Sequence, residues 1–288
     1  MKPWLKFLLI VFVIVALGVF LTPVLYQFLP FKFDRIFRRI IMIGTLVAVV
    51  RFVRLRGDTL KRFGLKWEGK ESLYFIGMGF LTGFVTLFLL VMVKMSLGIA
   101  HWAPENLSWL AILFKTGYFL AAAFLIALIE EFFFRGFLFR FFQDRFSLNV
   151  VASILLTSLI YSLVHFMNYS KPILAADPGL RDSFLLVLMP FLSFQSIAFF
   201  WREALGLFFL GVALNGVVLK ARSLYPAIGL HAGCVFFVKT DGLFVDFSNA
   251  NVLLYSSEKM YDGGLGWLFL LGMGWILTKT LRTPLTER

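Results

Sequence analysis

Charged residues are scarce in this chain of 288 residues. Asp, Glu, Lys and Arg together make up 15% of it, whereas a soluble domain usually carries about a quarter. The apolar runs also lack the two-residue alternation that a transmembrane barrel needs. Because lipid offers no hydrogen-bond partner to the backbone, helices are the remaining way to cross a bilayer. The sequence therefore predicts an all-α fold, a polytopic transmembrane helical bundle with about eight spans.

Cysteine is nearly absent. The single Cys234 lies in an apolar stretch, which excludes a disulfide framework and a cysteine-based metal site. The net charge of +12 does not indicate a nucleic-acid partner, because Lys and Arg cluster between the apolar runs, as the positive-inside rule describes. The bilayer is the expected partner. The densest cluster runs from Arg51 to Lys70, and we predict that this loop is cytoplasmic.

Long apolar runs are abundant, and runs of about 18 residues or more are long enough to span a bilayer. The second run crosses the bilayer only if the side chains of Arg39 and Arg51 extend to opposite membrane surfaces. Otherwise it lies at the membrane–water interface. The orientation of the N-terminus is therefore open. The expected spans are 4–29, 36–55, 72–98, 108–143, 148–168, 183–201, 204–220, 223–239 and 264–281.

Ionisable side chains within spans are costly and indicate function. The first group is Glu130, Glu131 and Arg135. Glu131 and Arg135 are four residues apart, which predicts an ion pair on one helix face. Glu130 points about 100° away from Glu131 and has no local cation, so it is the candidate general base. The alternative is a charge cluster that only anchors a helix end.

The second group is Tyr161 and His165, one helical turn apart, where the tyrosine can hydrogen-bond to the imidazole or stack on it. Glu130 and His165 each lie about 17 residues from a turn expected at 147–149. In an antiparallel hairpin, equal rise per residue would place both side chains at the same depth. A carboxylate and an imidazole so placed can hold and deprotonate a water. Alternatively, His165 is a packing residue.

The third group surrounds His231, where Gly229 and Gly233 would allow another helix to approach closely. Two histidines and a glutamate raise the question of zinc. No helix carries two histidines around a glutamate, which is the usual metalloprotease arrangement. An alternative zinc site would use Glu130, His165 and His231 from three helices.

Together, the three segments resemble the signature of the type II CAAX prenyl endopeptidase and bacteriocin-processing family of intramembrane proteases. That signature is Glu-Glu-x-x-x-Arg, then Phe-x-x-x-His, then His-x-x-x-Asn. The first motif is complete here, Tyr161 replaces the Phe of the second, and Val235 replaces the Asn of the third. The resemblance covers about residues 108–240. It implies a CAAX-protease-like catalytic core there, preceded by N-terminal helices and the basic loop (1–100) and followed by a loop and a C-terminal helix (241–288).

The resemblance implies a glutamate-type endopeptidase that requires no cofactor. Glu130 and His165 would activate a water, His231 would stabilise the oxyanion, and Glu131 with Arg135 would support them. Val235 removes an oxyanion donor, which Asn215 in the preceding span would replace unless it only joins helices.

The implied substrate is a membrane-associated or lipidated peptide or protein. The short loops favour a bacterial inner membrane, and we expect an active site toward the cytoplasm. A competing hypothesis is a catalytically weak or inactive membrane scaffold or immunity protein of the same fold. A transporter with a carboxylate–histidine proton relay is less favoured, because the sequence lacks paired broken helices.

Overall fold

The computed structural model describes residues 3–55, 60–166, 174–192, 197–248 and 251–281. These residues form helices joined by short connections, with one small sheet. A 3-10 turn covers Leu60–Phe63, and a π-helical segment, Phe132–Leu138, joins α4 to α5. The other elements are α1 Pro3–Tyr26, α2 Phe33–Leu55, α3 Lys70–Ser96, β1 Ala100–Trp102, α4 Trp109–Glu131, α5 Phe139–Phe146, α6 Val150–Phe166, α7 Leu180–Leu192, α8 Ile197–Ala221, α9 Tyr225–Asp241, β2 Val245–Phe247, α10 Val252–Tyr255 and α11 Gly264–Thr280.

The helical composition confirms the predicted all-α membrane bundle. Within the described residues, four helices are long and apolar enough to cross a bilayer, and α6 is a shorter apolar helix. The second expected span is a continuous helix, α2, but it is not among these four. The total of about eight spans stays a prediction. The four are Leu9–Tyr26, Lys70–Ser96, Trp109–Phe146 and Phe200–Ala221.

The chain divides into two compact units that do not follow chain order. The first comprises residues 1–59 and 163–200, and the second comprises 60–162 and 201–288. In the first unit α1 packs against α2 and α7. The domain boundaries predicted from the sequence follow chain order, and they stay a prediction.

In the second unit, α3 and α9 are each followed by a short strand. β1 and β2 pair antiparallel, with Ala100 opposite Phe247 and His101 opposite Asp246. Both strands lie in segments that the sequence analysis expected to be loops, because three-residue strands carry too little pattern to be recognised. The pairing joins the C-terminal ends of α3 and α9.

The helices α3 and α9 approach each other through glycines on both sides. Gly79 and Gly83 of α3 face Gly229 and Gly233 of α9. A Cβ built on any of the four would lie 2.1–2.4 Å from a backbone carbonyl oxygen of the other helix. Such small-xxx-small pairs allow backbones in a membrane to pack closely. The close approach predicted around Gly229 and Gly233 is therefore present, and its partner is α3.

Replacing Gly79 with Ala is expected to lower the free energy of unfolding by about 1–3 kcal/mol, because the neighbouring carbonyl belongs to backbone and cannot move aside cheaply. Gly77 on the same helix has nothing within 4 Å of its Cβ position. We expect Gly77→Ala to be neutral or to stabilise α3 by up to about 1 kcal/mol. Unfolding midpoints of the purified variants measure the difference, and equal midpoints would contradict this packing.

Candidate active site

A π-helical segment begins directly after Glu131. It covers Phe132–Leu138 and is continuous with α4 before it and α5 after it. π-helical turns are rare and occur frequently at functional sites. The sequence predicts a regular α-helix here, because a π turn has no simple residue signature. Residue counts through this segment therefore do not convert directly into depth in the bilayer.

Glu131 and Arg135 form the ion pair that their spacing predicts. Nη1 of Arg135 donates to Oε1 of Glu131 at 2.8 Å, and both side chains are 0% exposed. The guanidinium also lies over the ring of Tyr161, 4.4 Å from its centroid. A buried ion pair is favourable only when its geometry is good and further contacts surround it. The pair is therefore part of the interior of the second unit and not a surface anchor.

Glu131 has a second partner, His231 on α9. Nδ1 of His231 lies 2.8 Å from the same Oε1 atom of Glu131 that Arg135 contacts. Because the carboxylate accepts, Nδ1 carries a proton and the ring orientation is fixed. The opposite ring nitrogen, Nε2, lies 3.9 Å from Oε2 of Glu130. Glu131 thus orients His231 toward Glu130.

Glu130 and Glu131 differ in exposure as well as in partners. The side chain of Glu130 is 27% exposed, whereas that of Glu131 is fully buried. The 3.9 Å between Oε2 of Glu130 and Nε2 of His231 is too long for a direct hydrogen bond. It is short enough for one water to lie about 2.8 Å from both atoms at once. The spacing of the two atoms is therefore that of a pair bridged by one water, while Oε2 itself is buried in the structure.

Tyr161 of α6 closes this cluster on one side. It is 1% exposed, and its ring makes edge contacts with Phe134 at 5.0 Å and with His231 at 6.3 Å between centroids. Arg135 and Tyr161 are equally far along the chain from Leu148. Their contact confirms that residues 135–161 form an antiparallel hairpin.

The turn of the hairpin lies at 147–149, where the sequence analysis expected it. Ser147 adopts a left-handed conformation with φ 53°. The side chain of Asn149 then caps α6 by accepting from the backbone N–H of Ala152 at 2.8 Å.

Comparison with known proteins gives one family. The family model described as type II CAAX prenyl endopeptidase Rce1-like matches residues 112–237, which is less than half of the chain. The chain contains an Rce1-like domain. Members of this family are CAAX-type intramembrane proteases. The matched region includes every site residue predicted from the sequence. Comparison with curated proteins and with solved structures gave no match.

His165 follows Tyr161 by four residues on α6 of the Rce1-like domain and is partly buried. It belongs to the segment of α6 that is part of the first unit, whereas Glu130 belongs to the second. The equal depth of Glu130 and His165, and the role of His165 in activating water, stay predictions.

Asn215 of α8 is buried and joins two helices of the Rce1-like domain. Its amide nitrogen donates to Oγ of Ser158 on α6 at 3.2 Å and to the carbonyl oxygen of Gly211 at 2.9 Å. Both amide hydrogens are therefore engaged. This favours the packing role over the role of oxyanion donor, which stays a prediction.

A metal site was the alternative for the same residues. Across the part of the chain that the structure describes, no three His, Cys, Asp or Glu side chains form a group able to hold a metal ion. Glu131 is engaged by Arg135 and by Nδ1 of His231, so it is not directed at a common point with Glu130. The zinc set of Glu130, His165 and His231 gains no support from this arrangement. The expectation that no cofactor is required stays a prediction.

A segment of the basic loop braces the Rce1-like domain, and the sequence analysis did not find it. The backbone N–H of Leu224, just before α9, donates to the carbonyl oxygen of Gly64 at 2.9 Å. Phe63 packs edge-on against Phe132 at 6.0 Å between centroids. Gly64 has φ +80°, a conformation that favours glycine. That glycine, between Phe63 and Leu65, was the available sign of an ordered turn.

Proposed function

We propose that this protein is an intramembrane endopeptidase of the glutamate type, which hydrolyses a peptide bond in a membrane-associated or lipid-anchored substrate. One observation carries the proposal. Oε2 of Glu130 and Nε2 of His231 face each other at 3.9 Å, with His231 held from behind by Glu131. A base oriented toward a reacting water, and an imidazole oriented by a third group, are the arrangement that hydrolysis requires.

In the proposed reaction, Glu130 accepts a proton from the water that lies between it and His231. The resulting hydroxide attacks the carbonyl carbon of the scissile peptide bond. Glu130 then returns the proton to the leaving nitrogen as the C–N bond breaks. The sequence predicts His165 as a further residue that activates water.

His231 stabilises the negative charge that develops on the carbonyl oxygen. In this scheme the ring enters the reaction as an imidazolium. Nδ1 then donates to Glu131 throughout, and Nε2 donates first to the water and then to the oxyanion. The carboxylate of Glu131 compensates that positive charge. Preorganised donors of this kind act strongly on a developing oxyanion when water is excluded, which supports this role for His231.

The substrate can be identified by comparing native membranes that contain the wild-type protein with membranes that contain Glu130→Gln. Mass spectrometry of peptide termini should reveal one or a few membrane proteins that are cleaved only with the wild type. Identical termini in both membranes would contradict the proposal and favour the non-catalytic scaffold.

We also propose that the active site opens toward the cytoplasm, on the grounds of charge. In the second unit, the start of α3, the end of α5 and the start of α9 share one end, joined by the ion pair of Arg62 with Asp144 and by the contact of Gly64 with Leu224. Cations predominate there, whereas the two signs are nearly balanced at the sheet end. The residues at the basic end are Lys61, Arg62, Lys66, Lys70, Arg140, Arg145, Lys220 and Arg222, against Glu68, Glu71 and Asp144. Those toward the sheet end include Lys94, Lys115, Arg202, Lys239 and Lys259, against Glu105, Glu203, Asp241, Asp246, Glu258 and Asp262.

Single cysteines introduced at Lys66 and at Asp246, in a Cys234→Ala background, test this orientation. Both native side chains are exposed, at 48% and 73%. In intact bacterial spheroplasts, a membrane-impermeant thiol reagent is expected to label position 246, and to label position 66 only after permeabilisation. The reverse pattern would place the site on the outer side.

A further inference from the structure

We infer that the basic end of the second unit binds the phosphate headgroups of anionic phospholipids in the surrounding bilayer. The inference goes beyond the proposed function and does not depend on it, because it is tested without a peptide substrate. The surface is formed by the turn at 60–66, the start of α3, the end of α5 and the segment between α8 and α9. Its cations are Lys61, Arg62, Lys66, Lys70, Arg140, Arg145, Lys220 and Arg222.

These cations lie where helices leave the hydrocarbon of the bilayer. Among the described residues, four apolar segments are long enough to cross a bilayer, and three of them begin or end at this surface. The three terminal residues are Lys70, Phe146 and Ala221. The ion pair and the backbone contact already described bring the turn at 60–66 to the same level. Basic side chains at the ends of spans reach the layer of lipid headgroups.

The acids at this end compensate only part of the positive charge. Asp144 pairs with Arg62 at 2.8 Å, and Glu68 pairs with Lys66 directly after the turn. Glu71 is the third acid named there, so eight cations and three acids leave five positive charges in excess. Like charges held on one surface repel one another and lower the stability of the fold. An anionic headgroup supplies the missing negative charge, and the bilayer holds it at the same depth.

Exposed aromatic rings beside the cations favour a lipid over an acidic protein as the partner. Trp67 follows Lys66 and is 57% exposed, and Phe146 follows Arg145 and is 48% exposed. The ring of Trp67 meets that of Tyr225 edge-on, at 5.5 Å between centroids, which anchors the indole at this end. Tryptophan is enriched where hydrocarbon meets headgroups. A lipid can therefore contact a cation through its phosphate and a neighbouring ring through its acyl chain.

Headgroup binding stabilises the turn at 60–66 and the segments that the turn contacts. Phe63 packs against Phe132 at 6.0 Å between centroids, and the hydroxyl group of Tyr225 donates to the carbonyl oxygen of Leu65 at 3.4 Å. These contacts join the turn to the π-helical segment and to the start of α9. A ligand that binds the folded protein in preference to the unfolded chain raises the unfolding midpoint. Anionic lipid should therefore stabilise the protein more than neutral lipid does.

The test measures thermal unfolding of the purified full-length protein in nonionic detergent with added dioleoylphosphatidylglycerol or its neutral counterpart, dioleoylphosphatidylcholine. The anionic lipid is expected to give a midpoint about 4–8 °C higher than the neutral lipid. Because salt screens exposed charges, about 0.5 M NaCl should remove at least half of that difference. Lys61→Gln/Arg145→Gln, which neutralises two exposed cations of this surface, should also remove at least half of it.

Lys115→Gln/Lys239→Gln is the matched control, since it neutralises two exposed cations toward the sheet end. It should keep the full difference between the two lipids. Each variant is compared with itself in both lipids, so a change in its intrinsic stability cancels. Equal losses in the two double variants overturn the inference, because the lipid would then respond to overall charge and not to this surface.

Three further outcomes overturn the inference. The first is equal midpoints of the wild type in the two lipids. The second is the same rise with inorganic phosphate alone, which indicates a site for free phosphate. The third is a rise with polyglutamate but not with the anionic lipid, which indicates an acidic protein partner. The proposed function stands or falls separately, with the activity of Glu130→Gln.

Discussion

Glu130→Gln is expected to lower kcat by up to about 10⁴-fold, the upper range for removing a general base. The amide has nearly the shape of the carboxylate but cannot accept the proton of the attacking water. Because the side chain is partly exposed and its Oε2 atom has no direct hydrogen bond to His231 at 3.9 Å, the unfolding midpoint should change little. Cleavage by protein reconstituted in lipid nanodiscs gives kcat, and a thermal scan gives the midpoint.

Glu105→Gln is the matched control for this substitution. Glu105 is 46% exposed and pairs with Lys115 at 2.8 Å, so the same chemical change there should leave kcat unaltered. His165→Ala should also abolish cleavage if that residue positions the water as the sequence predicts. Cleavage that survives in Glu130→Gln would show that the carboxylate is not the base, and the inactive-scaffold hypothesis would then be favoured.

The helices could be predicted closely because their signals are local. Runs of apolar residues gave spans at 108–143 and 223–239, and the structure has helical segments at Trp109–Phe146 and Tyr225–Asp241. The ion pair of Glu131 with Arg135 is also local, since it depends on a spacing of four residues. For the same reason, the sequence analysis separated the two glutamates by role.

Contacts between distant segments could not be read in the same way. Glu131 and His231 are separated by 100 residues, and no spacing rule joins positions that far apart. The glycines at 79 and 83 form a recognisable small-xxx-small pair, but nothing local indicates that they face Gly229 and Gly233. The π-helical turn at Phe132–Leu138 was missed because regular helical geometry was assumed there.

The structure gives Glu131 a contact that no spacing rule predicts. The sequence predicts that Glu131 and Arg135 pair and support the site, and the Oε1 atom of Glu131 contacts both Arg135 and His231. Oε2 of Glu131 and two nitrogens of Arg135 have no hydrogen-bond partner among the described residues. The charge on each side chain is therefore compensated mainly by the other. We therefore expect substitutions in this ion pair to lower both the stability and the activity of the protein.

Arg135→Met is expected to lower the free energy of unfolding by about 3–5 kcal/mol, because it leaves the carboxylate of Glu131 buried without its cation. It should also lower kcat, since Glu131, which orients His231, loses the cation that holds it in place. Removing both charges in Glu131→Gln/Arg135→Met should restore part of the stability, but not the activity. Equilibrium unfolding of the purified variants in mixed detergent, arranged as a double-mutant cycle, measures the coupling.

The exposed pair of Arg62 with Asp144 provides the control within the same unit. Its N–O distance is also 2.8 Å, but the two side chains are 47% and 38% exposed. Solvent screening limits such a pair to about 0–1 kcal/mol, so Arg62→Met should have a small effect. If Arg62→Met and Arg135→Met destabilise the protein equally, then burial does not determine the strength of the ion pair between Glu131 and Arg135. The support of His231 by Glu131 and Arg135 would then need another explanation. If the two variants differ as expected, the stability of the second unit depends on the same buried charges that orient the imidazole of His231.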